Sequence, residues 1–227
     1  MSEQTVQEMT VSGLGRAPQF RIGSEEHKRA FCRMLLDTHD PYKPAVIDWP
    51  RLSPEALGRL TALPIWNIAV QIEGRASIAV RTYGESIADP LLKEAVLMDG
   101  GEEARHKDVL SKMVASYGIV LDPEPSYPPP ADPEWAFMAT GYAECIDSFF
   151  AFGLFNVARR SEFFPEALAE TFEPVIQAEA RHIMFFVNSL AWHRRQLSLP
   201  ARLRFNLKCF ACFMGPIKGR LDTARNV

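Results

Sequence analysis

The sequence predicts an all-α fold: a bundle of four long helices with further helices before and after it. From about residue 60, four stretches of roughly 25 to 32 residues carry apolar side chains at helical spacing. Breaks that contain proline separate these stretches, and no segment alternates apolar and polar residues as a half-buried strand does. The predicted helices span residues 63–87, 89–117, 134–161 and 165–196.

Length and composition indicate one globular domain. The chain has 227 residues, of which 47% are hydrophobic and 23% charged, and this is enough apolar material for one full core. A net charge of −3 without long blocks of like charge argues against nucleic acid as a partner. No stretch reaches the roughly 18 apolar residues that span a bilayer, and the N-terminus lacks the regions of a signal peptide. We therefore expect a cytoplasmic protein without a membrane span.

Residues 1–60 are interpreted as an N-terminal extension with one short helix. Ser24 has the character of an N-cap, and the acidic and apolar residues after it predict a helix that ends before Pro41. The prolines that follow indicate an extended linker to the long helices.

Residues 61–197 contain the four long helices, and their connections predict the topology. The short break at 88–90 makes the first two helices antiparallel neighbours. The proline-rich stretch 118–134 is long enough to cross between two helix pairs. We therefore expect two antiparallel hairpins docked against each other.

Residues 198–227 form a basic amphipathic segment that contains Phe205, Phe210, Phe213 and Met214. Such a segment can dock on the bundle, form a homodimer interface or touch a membrane surface, and the first two are favoured because the chain shows no other membrane feature.

The cysteines do not form a disulfide framework. Cys32 and Cys145 are isolated, and the single C-x-x-C of Cys209 and Cys212 lies within an aromatic helical pattern. Buried thiols are favoured over redox or zinc chemistry.

Two segments carry the same metal-binding pattern, Glu103-Ala-Arg-His106 and Glu179-Ala-Arg-His182. Residues three apart lie on one face of a helix, so the carboxylate and the imidazole of each segment can bind one ion. This pair of ligand types favours iron or manganese over a metal that prefers thiolates.

Two further acidic residues strengthen the interpretation. Glu73 lies in the middle of the first long helix and Glu144 in the middle of the third, where an ionised carboxylate is costly unless it is paired or binds a metal. The alternatives are that Glu73 pairs with Arg75 or Arg81 and that Glu144 faces solvent. The chain order is Glu, Glu-x-x-His, Glu, Glu-x-x-His, with one element on each successive helix.

This order resembles the ferritin-like superfamily of di-iron or di-manganese carboxylate proteins, and within it the small oxidases and oxygenases. The resemblance covers residues 63–196 and implies a ferritin-like four-helix bundle with two iron ions, or with manganese or a mixed manganese and iron pair instead. It implies terminal ligands at Glu73 and Glu144, bridging ligands at Glu103 and Glu179, and one imidazole per metal from His106 and His182.

The resemblance also implies an oxidoreductase that activates dioxygen to oxidise a small, apolar organic substrate, with electrons from an unidentified donor. The alternative is a ferroxidase that stores or detoxifies iron. The proline-rich crossover, the N-terminal extension and the aromatic third helix argue against storage, because a storage shell requires none of them. The phenylalanines of the third and fourth helices indicate either an apolar substrate channel or plain core packing, and packing is favoured: Phe149, Phe150, Phe152, Phe155, Phe185 and Phe186.

Residues next to the ligands have predicted supporting roles. Glu102 is a candidate hydrogen-bond partner, because the resemblance implies an acid at this position that supports the histidine of the opposite helix. Asp99 and Asp147 are other candidates, and for all three residues a surface or capping role is the alternative. Ala178 occupies the position that corresponds to Glu102 in the second motif, so the two metals are expected to be unequal. The adjacent Gly100 and Gly101 can allow close helix packing, a local bulge or movement of the ligands with oxidation state, and packing is favoured.

Overall fold

The computed structural model describes residues 21–161 and 163–225, and the first 20 residues of the predicted N-terminal extension lie outside these ranges. The described residues confirm the all-α class, with helices and no strand among them. A short 3-10 turn covers Pro44–Val46. The α-helices are α1 Glu25–Asp37, α2 Pro54–Thr61, α3 Trp66–Ser86, α4 Pro90–Ser116, α5 Pro133–Arg160, α6 Glu166–Gln196 and α7 Leu199–Arg225.

Side-chain caps define where several helices begin. The Ser24 hydroxyl accepts a hydrogen bond from the His27 backbone N–H, which confirms the predicted N-cap of α1. Asp89 caps α4 in the same way, and Pro90 occupies the first helical position. Helix α5 begins in the same way: Asp132 is the N-cap and Pro133 is the first helical residue.

The four long helices α3 to α6 lie within three residues of their predicted bounds. The largest difference is the start of α3 at Trp66 instead of residue 63. Pro64 excludes residue 63 from the helix, because proline disfavours the helical conformation of the residue before it. The prediction omitted α2, whose N-cap Ser53 and first residue Pro54 lie in the segment interpreted as a linker.

Helix contacts surround an interior space. Helix α3 packs against α4 and α5, and α6 packs against α5 and α4. In the described part of the chain, the pairs α3–α6 and α4–α5 have no Cα atoms within 8 Å of each other, so each pair lies on opposite sides of that space. Helix α1 covers α4 and α6, and α7 packs against α5 and α6.

Two apolar clusters hold the long helices together. One contains Phe31 of α1, Val96 of α4, Phe137 of α5 and Phe185 of α6. The other contains Leu60, Met113, Val114 and Leu168. Along α4, the segment with the Glu-x-x-His motif lies between these two clusters. The polar side chains of this motif are therefore positioned by apolar packing on both sides.

The four cysteines are free thiols. Burial raises the pKa of Cys32 to about 12 and the pKa of Cys212 to about 11. A protonated thiol is a poor nucleophile and a poor metal ligand. Among the described residues, every helix lacks an apolar stretch of the length that crossing a membrane requires.

Gly100 is a point of close approach between α3 and α4. A Cβ atom there would lie 2.5 Å from Cγ of Arg81 and 3.1 Å from the Arg81 backbone nitrogen. Its carbonyl oxygen also accepts a hydrogen bond from the Ser77 hydroxyl at 2.8 Å. The packing role predicted for Gly100 is thus confirmed, whereas the same prediction for Gly101 is wrong, because a Cβ there would meet nothing within 4 Å.

The two glycines should respond in opposite ways to substitution by alanine. We expect Gly100→Ala to lower the free energy of unfolding by about 1–3 kcal/mol, because backbone and side chain of Arg81 must move. Gly101→Ala should raise it by about 0.5–1 kcal/mol, because alanine is the better helix former and has room. Urea unfolding followed by circular dichroism measures both. Equal stability of the two variants would contradict the packing account.

Candidate metal centre

Helices α4 and α6 bring four of the predicted ligands together. Glu103, His106, Glu179 and His182 each offer a ligand atom, and these atoms all lie within 4.8 Å of one another. Glu103, His106 and His182 are almost fully buried, and the side chain of Glu179 is 15% exposed. These residues form a histidine and glutamate cluster that could hold a metal ion.

Each imidazole faces the carboxylate of the other helix. Nδ1 of His106 lies 2.9 Å from Oε1 of Glu179, and Nδ1 of His182 lies 2.9 Å from Oε1 of Glu103. The two rings stack with centroids 5.6 Å apart. The two Glu-x-x-His motifs therefore form one crossed pair and not two separate sites.

The short contacts in this pair do not have hydrogen-bond geometry. Among the described residues, Nδ1 of His106, Nδ1 of His182 and Oε1 of Glu103 are buried without a hydrogen-bond partner. A buried polar atom without a partner costs about 1–3 kcal/mol. Atoms that approach one another without bonding are arranged as ligands around a common point, so these residues fit a metal ion.

Glu73 lies at the edge of this cluster. Its Oε2 atom is 3.8 Å from Nδ1 of His106, and it forms no ion pair with Arg75 or Arg81 among the described residues. Burial raises its pKa well above the usual range, and the negative charges of Glu103 and Glu179 raise it further.

Glu144 is half-buried on α5 and lines the same cavity as Glu73, Glu103 and Glu179. Burial raises the pKa of Glu144 well above its usual range, and the charges of Asp99 and Glu179 add to the effect. Glu73 and Glu144 are thus near the four-residue cluster but not part of it, and their roles as terminal ligands stay a prediction.

Burial and neighbouring charges also shift the pKa values of the two carboxylates in the cluster, Glu103 and Glu179. Burial, together with the charges of Glu179 and Glu144, raises the pKa of Glu103 to about 8. Burial would also raise the pKa of Glu179, but its contact with His106 outweighs this and lowers the pKa. The carboxylates repel one another in the interior, and a cation between them would relieve that repulsion.

Glu102 supports His182 from outside the cluster, which confirms the predicted contact. The second ring nitrogen of His182, Nε2, lies 2.9 Å from Oε2 of Glu102. Burial opposes ionisation of Glu102, but bonds with His182 and His39 and the charge of Arg181 lower its pKa to about 2. Because Nδ1 of His182 faces the cluster, we assign the ring proton to Nε2, which then donates to the ionised Glu102.

The environments of the two histidines differ, as the Glu102 and Ala178 positions predict. His182 also has Asp99 within 3.5 Å of Nε2, and burial raises the pKa of Asp99 to about 6. On α6 the corresponding position holds the buried Ala178, which has no carboxylate to offer His106. The other predicted candidate, Asp147, lines the cavity.

The N-terminal extension adds a residue that sequence reasoning missed. Nδ1 of His39 lies 2.8 Å from Oε1 of Glu102, and the same oxygen accepts a hydrogen bond from Arg181 at 2.8 Å. Arg105 contacts Nε2 of His39 at 3.3 Å and donates to the backbone carbonyl of Asp40. A histidine just after a short helix is a weak signal, because only the folded chain brings it to Glu102.

A cavity of about 520 Å³ adjoins the cluster. Four of its lining residues are the predicted glutamate ligands, and most of the others are aliphatic. The phenylalanines proposed for a channel are not among the described lining residues; Phe185 and Phe186 are buried in the core, and the side chains of Phe149 and Phe150 lie outside the described part. The aliphatic lining includes Ile68, Ile72, Leu110, Val175 and Ile176.

Comparison with known proteins adds no relative. No protein-family model, no curated protein and no solved structure matches this chain.

Replacing Glu102 should weaken metal binding without removing a ligand. We expect Glu102→Gln to lower the affinity for Mn²⁺ or Fe²⁺ by about 10-fold or more, because the neutral amide no longer polarises His182. Anaerobic titration against a competing chelator measures this, with Glu94→Gln, an exposed glutamate of the same helix, as the control. Equal affinity of the two variants would show that Glu102 has no supporting role.

Proposed function

We propose that α3 to α6 form a ferritin-like four-helix bundle that holds two iron ions and oxidises a small apolar molecule. The support is the crossed pair of Glu-x-x-His motifs on α4 and α6, together with one glutamate each on α3 and α5 around the same interior space. When bound, the metal pair supplies dioxygen activation, with electrons from a separate donor.

The chain contributes charge compensation and ligand orientation. The carboxylates of Glu73, Glu103, Glu144 and Glu179 carry up to four negative charges, which balance two divalent ions. The carboxylate of Glu102 accepts a hydrogen bond from Nε2–H of His182, so that Nδ1 of the ring faces the cluster. Both histidines are almost fully buried, so their rings are fixed by the surrounding helices.

The cavity is the single observation that carries the choice of substrate class. Its wall includes the four glutamates, so a molecule in the cavity lies directly against the proposed centre. The aliphatic side chains from α3, α4 and α6 favour an apolar molecule. A volume of about 520 Å³ is large enough to hold a small organic compound.

Ferrous iron as the substrate is the second candidate. One observation favours it: Glu73 and Asp147 line the same cavity and could pass a cation to the centre. The aliphatic lining is not needed for that role. The two functions differ in what the protein turns over, which the following experiments measure.

Metal analysis tests the centre itself. Protein reconstituted anaerobically with Fe²⁺ should hold about two ions per chain, and His182→Ala should hold about one or fewer. His193→Ala, a histidine outside the cluster, is the control. Circular dichroism must show that each variant is folded. Absence of bound metal in the folded wild type would refute the proposal, and turnover of excess Fe²⁺ into a retained mineral would favour iron storage.

A larger side chain in the cavity should separate the binding of an apolar compound from the binding of metal. We expect Ile176→Phe to keep the metal content and to weaken at least tenfold the binding of alkanols and alkylbenzenes, because the ring takes up cavity volume. Thermal shift of the loaded protein with these compounds measures binding. Val120→Phe, at an exposed position, is the control. Equal shifts in both variants would place the apolar binding site elsewhere.

A further inference from the structure

One face of α7 is attached to the rest of the protein. Phe205 and Cys212 are buried, 7% and 1% exposed, in the cluster that also contains Phe137 of α5. Lys208 binds the carboxylates of Glu134 and Asp132 at the start of α5. These contacts determine which side of the helix points outward.

The outward side of α7 is apolar. Leu203 and Phe210 are each two positions before a buried residue, which rotates them about 200° away from the attached face. Their side chains are 64% and 63% exposed. Three more exposed residues continue the same line at spacings of three and four. We call this line the outer stripe: Leu199, Leu203, Leu207, Phe210 and Met214.

A contiguous row of this kind is unusual on a protein surface. Isolated exposed apolar residues are common, but contiguous patches mark sites of interaction. The outer stripe has the heptad-like spacing of a helix face that packs against a partner. Within the part of the chain that the structure describes, nothing packs against the outer stripe.

Positive charges border the outer stripe. Arg204 and Lys218 are exposed and form no ion pair among the described residues. The sequence of the same helix also contains Arg202, Lys208, Arg220 and Arg225, against the single acid Asp222. The whole chain carries a net charge of −3, so this basic character is local.

The positive charges beside the outer stripe favour one kind of binding partner over another. A second copy of the chain, paired through the same stripe, would bring its own Arg204 and Lys218 close to these, and like charges oppose that pairing. An anionic lipid surface instead accepts an apolar row below its headgroups and cations at headgroup level. We propose that α7 binds the surface of membranes that contain anionic lipids, with the outer stripe inserted and its flanking cations at the headgroups.

Vesicle binding tests this inference on the full-length protein, and the readout does not depend on metal or activity. We expect co-sedimentation with vesicles of phosphatidylcholine and phosphatidylglycerol, at least tenfold weaker binding to phosphatidylcholine alone, and loss of the difference in 0.5 M salt (about a 4 Å Debye length). The double variant Leu207→Ser and Phe210→Ser should lose binding. Val120→Ser, which removes an exposed apolar side chain elsewhere, should retain it.

Removal of the two flanking positive charges is a second test of the inference. Arg204→Gln with Lys218→Gln should reduce binding to the anionic vesicles by about tenfold while leaving the apolar row intact. Two results would overturn the inference. These are failure of the wild type to bind anionic vesicles, and a dimer in light scattering that the double serine variant dissociates.

Discussion

The repulsion among carboxylates that share one interior space is the constraint on which the rest of the structure depends. Three of the four predicted glutamate ligands have raised pKa values, and burial is the first cause in each case. A group of buried carboxylates destabilises the fold, and apolar packing elsewhere must offset this cost in free energy. The clusters around Phe185 and Met113 lie on either side of it and supply that packing.

The polar interior is also connected to the N-terminal extension. His39 is held by Arg105 and contacts Glu102, which in turn bonds His182. Helix α1, just before His39, packs on both helices that carry the Glu-x-x-His motifs. The extension is therefore part of the structure that orients the imidazole, although it lies outside the four long helices and was predicted only as an addition to them.

The sequence predicted what periodicity and spacing control. The helix bounds and the Ser24 cap follow from local rules, because periodicity and capping depend on residues that are close in the chain. The contact of Glu102 with His182 joins two helices, and it was predicted from the resemblance to di-iron proteins. The missed features depend on tertiary contacts. No local pattern distinguishes Gly100, which meets Arg81, from Gly101, which meets open space. In the same way, the aliphatic cavity lining comes from several helices, and no single segment indicates it.

The unequal surroundings of the two histidines have a consequence for assembly. An imidazole that donates to an ionised carboxylate is the more basic ligand, so Nδ1 of His182 would attract a cation more strongly than Nδ1 of His106. If the centre holds the proposed pair of metals, the two ions would therefore bind in sequence as the supply of metal rises. With two kinds of ion present in different amounts, such a centre would assemble an ordered heteronuclear pair.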